Sequence, residues 1–176
     1  KKIYKVSISV ADSCPNRKGL NGMQVCIFCD EWGSAAYHQL RSQPIKKQIE
    51  INREAIRKRY KAEKFLIYFQ AYTNTYGSFK KLELLFEKAL EEKDVVGLVI
   101  GTRPDCLPKR ILRKFSEIIE KHYLSVELGI QTFNDSQLIF LSRGHDGKSS
   151  FEAIHKLKKI SGLNLCVHLM FGLPGE

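Results

Sequence analysis

Short apolar runs alternate along the chain with longer segments whose apolar positions recur every three or four residues. The first pattern marks strands and the second amphipathic helices. Ile3 to Val10 reads as the first strand. Ser42 stands as the cap of a helix reaching about Lys61, with Ile45, Ile49, Ile56 and Tyr60 on one face. Phe65 to Phe69 is a continuous apolar run, as expected of a strand buried on both faces. Ser78 caps a second helix with an inward stripe of Leu82, Leu85, Phe86, Ala89 and Leu90. Val95 to Ile100 is the third strand. Pro108 opens a third helix with Ile111, Leu112, Phe115 and Ile119 inward. Leu124 to Ile130 is the fourth strand, followed by a short helix near Gln137–Leu141. A longer helix begins at Ser149, where Ser149 and Glu152 have capping-box spacing. It turns Phe151, Ile154 and Leu157 inward and ends at Gly162. Leu163 to Phe171 is the fifth strand.

A repeated strand–helix order means a parallel sheet with helical crossovers. The five strands fit an incomplete (β/α) barrel, with a doubly wound sheet as the other arrangement. In both, ligands bind at the C-terminal ends of the strands. The polar residues lie there: the cysteine loop after strand one, Gln70 to Asn74 after strand two, Thr102 to Asp105 after strand three, Gln131 and Thr132 after strand four. Gly172-Leu173-Pro174-Gly175-Glu176 is a loop signal with no further strand behind it, and Lys1 is not an initiator methionine. The expectation is one domain over residues 1–176, a fragment of a longer chain that lacks the last strand.

Composition narrows the class. The 176 residues are 43% hydrophobic and 27% charged, ordinary for a globular domain. No apolar run approaches the roughly 20 residues of a membrane span, so no membrane partner is expected. The net charge is +10, with nine Lys/Arg between Arg41 and Lys64 against Glu50, Glu54 and Glu63. Such a segment meets a polyanion such as RNA, or is simply a solvated helix face.

Five cysteines, three of them bunched, argue against a disulfide framework and for a reducing, cytoplasmic setting. Cys14, Cys26 and Cys29 sit on the loop after strand one, eleven and two residues apart. Three thiolates leave one position of a metal centre open. Structural zinc is an alternative that needs a fourth ligand, with His38 or Cys106 as candidates. A thioredoxin-like dithiol at Cys26 and Cys29 is another, which leaves Cys14 idle.

The ordered motifs carry a family resemblance. Cys14-Pro15-Asn16-Arg17 and Cys26-Ile27-Phe28-Cys29 resemble the cluster motif of the radical S-adenosylmethionine (radical SAM) enzymes. That motif is usually C-x3-C-x2-C with an aromatic residue before the last cysteine, a place Phe28 fills. The longer first spacing is similar to that of the elongator catalytic subunit and of a group of YhcC-like bacterial radical SAM proteins. The bacterial group resembles the chain further at Tyr68 to Tyr76, Gly101 to Asp105, Glu127 to Thr132, Ser142 to His145 and Leu169 to Glu176.

The resemblance implies a partial (β/α)6 radical SAM barrel with parallel strands, truncated before its last strand. It implies a [4Fe-4S] cluster on Cys14, Cys26 and Cys29, with S-adenosylmethionine (SAM) on the fourth iron. The reduced cluster cleaves SAM to a 5′-deoxyadenosyl radical that takes hydrogen from a substrate, an oxidoreductase-type reaction. SAM contacts are implied at Phe28, Ala71, Tyr72, Thr73, Gln131, Arg143, His168 and Gly172. Ala71 to Thr73 replace glycines of many relatives, and His168 replaces a polar residue, often an acid, that contacts ribose. A one-electron reductant, flavodoxin- or ferredoxin-like, is implied as partner, and RNA is a possible substrate. The competing class is an RNA-binding metalloprotein with a structural iron–sulfur or zinc site. Of the remaining candidates, Cys106 reads as a spare thiol near the mouth, and Cys166 reads as core. His145 reads as an orienter of Arg143 or a loop cap, and His122 and His155 as surface residues. Asp105 and Glu127 read as ligands of SAM or substrate, or as ion-pair partners of Arg103.

Overall fold

The computed structural model describes residues 2–11, 14–33, 35 and 40–176. Five strands, β1 (Ile3–Ile8), β2 (Lys64–Phe69), β3 (Val95–Thr102), β4 (Tyr123–Gln131) and β5 (Asn164–Leu169), form one sheet in the order β1-β2-β3-β4-β5. Every pairing is parallel. The helices are α1 (Ile45–Tyr60), α2 (Phe79–Leu90), α3 (Lys109–Ile119), α4 (Asp135–Phe140) and α5 (Gly147–Lys158). The strand order runs in sequence without reversal. A doubly wound sheet reverses its order at a switch point, so the arrangement is the partial barrel and not its alternative.

The two faces of the sheet differ. One carries Val6, Ile8, Phe65, Ile67, Phe69, Leu98, Ile100, Leu124, Val126, Leu128 and Ile130, all buried against the helices. Ile49, Phe86, Phe115 and Leu157 complete this core from α1, α2, α3 and α5. Removing one such ring, as in Phe86→Ala, costs roughly 3–5 kcal/mol. The opposite face carries Lys5, Tyr68, Glu127, Gly129, Gln131 and His168. The strands are therefore not buried alike on both faces; β2 alternates between buried and half-buried positions. An apolar run conceals this alternation, because Leu66 is apolar and Tyr68 carries a large ring like its core-facing neighbours Phe65 and Phe69.

Several local expectations shift. The N-cap position of α1 is Pro44, not Ser42, and Tyr60 is 45% exposed, stacked on Tyr4 at 5.0 Å. Gln48 and Asn52 are buried on α1 because they bond the chain around β1. Gln48 Oε1 accepts from Ser9 N (2.9 Å), and Asn52 Nδ2 donates to Ser7 O (2.9 Å). The cap of α5 is Asp146, whose carboxylate accepts from Ser149 N at 2.7 Å, so Ser149 lies inside the helix. On α3, Ile118 is buried and Ile119 only partly so. Phe151 is exposed and stacks on Phe133 at 4.6 Å. Cys166 is exposed and not core, because β5 is the edge strand and Cys166 shares the polar face with His168.

Candidate metal centre and cofactor cavity

The loop after β1 is held in place by its own backbone and by α4. Lys18 N donates to Cys14 O (3.1 Å) and Cys29 N to Cys26 O (3.0 Å). Asn16 Nδ2 donates to Gln24 O and to Ser142 O, both at 2.6 Å, and Ile27 N donates to Leu141 O (3.2 Å). The long stretch between the first two cysteines is thus pinned to the α4–α5 turn. Cys14 and Cys26 are buried and Cys29 is half-buried.

Each of two thiols faces a guanidinium. Arg17 Nη2 lies 3.5 Å from Cys29 Sγ and also donates to Asp30 O. Arg143 Nη1 lies 3.6 Å from Cys26 Sγ, and its Nη2 donates to Gly129 O at 2.6 Å. The hydrogen bond to the Cys29 sulfur raises the Arg17 pKa. Burial, then repulsion from Arg103, lowers that of Arg143. A side chain on Gly129 would place its Cβ 2.8 Å from Arg143 Nη2 and 3.0 Å from Gln131 Nε2. The bare backbone there is what lets Arg143 and Gln131 approach together.

Tyr72 locks the cysteine loop to the end of β2. It adopts a positive φ of 60°, rare outside glycine, and its N donates to Gly33 O (3.2 Å). Its hydroxyl donates to Glu31 O (2.8 Å) and accepts from Arg41 Nη1 (3.0 Å), while Arg17 and Arg41 lie 5.2 and 4.8 Å from its ring. Gly33 sits directly on the ring, where a Cβ would fall 2.6 Å away.

These elements surround a cavity of about 160 Å³ at the C-terminal ends of the strands. Cys14, Cys26, Cys29, Phe28, Tyr72, Thr73, Gln131, Arg143 and His168 all line it. Ala71 is fully buried outside the lining, and Gly172 stands apart, in a turn whose Gly172 and Leu173 amides donate to the Glu176 carboxylate. The lining adds residues that lie in those motifs but carried no cofactor role there, among them Asn16, Arg17, Gln70 and Arg103. The strand-internal Glu127 lines it too, bound by Lys5 Nζ (2.5 Å) and lying 3.0 Å from His168 Nε2. Burial opposes its charge, yet hydrogen bonds from Lys5 and Tyr68 hold its pKa below the ordinary value. Asp105 is the partner of Arg103; Glu127 is not.

Among the described residues, no three His, Cys, Asp or Glu side chains already stand as a ligating group. The donor chemistry nevertheless fits a sulfur-ligated cluster: three thiols open onto one cavity, and cationic donors face two of the sulfurs. Hydrogen bonds to sulfur are a known control on cluster potential. The zinc alternative fares worse. Cys106 is buried outside the lining, and burial, then Asp105, pushes its thiol up to about 12. His38 lies outside the described residues. The dithiol reading lacks its helix start, since residues 26–33 form turns. Four of the nine Lys/Arg of the basic segment are ion-paired: Lys46–Glu91 (2.6 Å), Lys47–Glu50 (2.9 Å), Arg53–Glu92 (2.9 Å) and Arg57–Asp94 (2.5 Å). Among the described residues, no helix is long and apolar enough to cross a membrane.

Comparison with known proteins gives consistent results. The family described as "Radical SAM superfamily" matches residues 8–176. The uncharacterized protein YtqA of Bacillus subtilis is 37% identical over 99% of the chain and 54% of its own length. Protein YhcC of Escherichia coli K12 is 35% identical over 99% of the chain and 55% of its own. A tRNA uridine(34) acetyltransferase of Methanocaldococcus jannaschii is 40% identical over 48% of the chain and 15% of its own. Among solved structures, the archaeal Methanocaldococcus infernus Elp3 superposes with a TM-score of 0.66 at 19% identity, over 99% of this chain and 39% of that one. That likeness concerns the fold alone. The chain spans about half the length of the curated relatives it matches over nearly all its residues.

Proposed function

The chain belongs to the radical SAM superfamily, and from that premise we propose that Cys14, Cys26 and Cys29 ligate a [4Fe-4S] cluster whose fourth iron takes S-adenosylmethionine. Held there, such a cluster would supply the one-electron reduction that cleaves SAM to a 5′-deoxyadenosyl radical able to take hydrogen from a substrate. The observation that carries the reading is the opening of all three cysteines onto one cavity with Gln131 and Arg143. Arg17 and Arg143 hold the Cys29 and Cys26 thiolates by charge-assisted hydrogen bonds. Arg143 and Gln131 receive the amino-acid end of SAM, and Phe28 flanks the adenine. Tyr72 and Thr73 offer their backbone at the end of β2. His168, oriented by Glu127, offers its ring to the ribose hydroxyls. Ala71 and Gly172 shape the two turns without lining the cavity.

The reaction class is oxidoreductase-type, fed by a flavodoxin- or ferredoxin-like reductant, in the cytoplasm. For the substrate we propose RNA, on the net charge of +10 and the partial likeness to a tRNA-modifying enzyme. Anaerobic reconstitution tests the enzyme reading. The full-length protein is expected to bind about four irons, to change its EPR signal on adding SAM, and to release 5′-deoxyadenosine with dithionite. A cluster whose spectrum ignores SAM refutes it, and RNA binding retained after loss of all three cysteines favours the structural-metal alternative.

A further inference from the structure

Two guanidiniums share one wall of the cysteine cavity, and a single carboxylate faces them. Arg103 is 2% exposed and Arg143 is 8% exposed. Asp105 receives Nε and Nη2 of Arg103 at 2.9 and 2.8 Å. That leaves Arg103 Nη1 buried without a partner, and Arg143 Nε is in the same condition. Buried N–H donors are ordinarily satisfied. A buried charge without a counter-charge is costlier still. The surrounding groups do not complete the balance. His145 is held neutral, its pKa pushed down to about 4 by burial and then by Arg143. Glu127, on the same cavity, is taken by Lys5 and His168. Cys26 Sγ, 3.6 Å from Arg143 Nη1, is one of the three cysteines proposed as metal ligands.

We propose that Arg103 joins Arg143 in a two-guanidinium oxyanion site on the cavity wall, and that the oxyanion is the α-carboxylate of SAM. The identity of the oxyanion rests on the cofactor reading given above. Arginine suits the task because its planar fork keeps one edge on Asp105 while a further nitrogen remains to donate. Each arginine brings one nitrogen without a partner, and both side chains line the same cavity. Arg103 is thus a binding residue, and Asp105 positions it.

Equilibrium dialysis of the cluster-loaded full-length protein, run anaerobically, tests this with SAM and decarboxylated SAM on wild type, Arg103→Gln and Arg103→Lys. Losing a charge-assisted bond is expected to weaken SAM binding about 10- to 100-fold in Arg103→Gln. Decarboxylated SAM should weaken less than about threefold, since the lost contact is absent from that ligand. Arg103→Lys should fall between, keeping the charge but not the fork. Should Arg103→Gln fail to fold with Asp105 unpaired, Arg103→Lys carries the comparison. Equal losses for both ligands, or no loss for SAM, overturn the inference and leave the cofactor reading standing. A wild-type protein that binds neither ligand overturns both.

Discussion

Asn74 holds the mouth of the barrel together, and replacing it should be costly although it bonds no thiol. The side chain is 1% exposed. Its Nδ2 donates to Phe69 O (2.9 Å), Ala71 O (3.1 Å) and Gly101 O (3.0 Å), tying the turn after β2 to the end of β3. In Asn74→Ala, Gly101 O keeps the Asn74 backbone N–H at 3.2 Å. Phe69 O and Ala71 O lose their side-chain donor. At about 1–2 kcal/mol for each buried acceptor so deprived, the loss is roughly 2–4 kcal/mol. For a chain of this size that corresponds to a melting temperature lower by about 6–12 °C. Urea unfolding followed by far-UV circular dichroism reads it as a lower midpoint with an unchanged m value. Asn74→Asp separates hydrogen bonding from shape. A carboxylate facing three carbonyls is disfavoured when ionised, so its folded pKa lies above its unfolded value. The variant should therefore lose stability as pH rises through that folded pKa, and approach the wild type in acid. A loss below about 1 kcal/mol in Asn74→Ala, or an Asn74→Asp variant insensitive to pH, would refute the reasoning.

Two further outcomes follow from the charges and thiols. Glu127 has its folded pKa held down against burial by Lys5 and Tyr68, so the stability it contributes is present above its unfolded pKa and is lost as pH falls through the folded value. Acid titrations of Glu127→Gln against wild type should show the wild type losing more stability on acidification, and parallel curves would count against the assignment. Cys106, with its thiol near 12, is expected to resist iodoacetamide at pH 8 in the folded 176-residue chain while exposed Cys166 reacts. Mass spectrometry of the digested protein decides it, and labelling of Cys106 at the rate of Cys166 would show that the burial is not maintained.

Much of the site was legible before any coordinates because its chemistry is local in sequence. Three cysteines on the loop after a strand, and polar residues at successive strand ends, already point to one rim. Local information failed where a side chain's role depends on the opposite strand. Glu127 reads as a ligand or as a partner of Arg103 until β1, β2 and β5 bring Lys5, Tyr68 and His168 around it. Arg17 looks like one of many basic residues until its loop folds back onto Cys29. Cys166 looks like core because its neighbours along the strand are apolar, yet it occupies the polar face of an edge strand.

The sequence by itself determined the parallel strand–helix alternation, the cysteine loop after the first strand and the set of polar rim positions. Each depends on residue type and spacing within one element. The tertiary structure alone decided that the sheet winds in sequence as a barrel, and that its inner face is polar. It also decided that Arg17 and Arg143 take the Cys29 and Cys26 sulfurs, and that Arg103 and Arg143 share a buried wall with one carboxylate. Those outcomes depend on which strands become neighbours, and a chain of torsions records neighbours only after it has closed on itself.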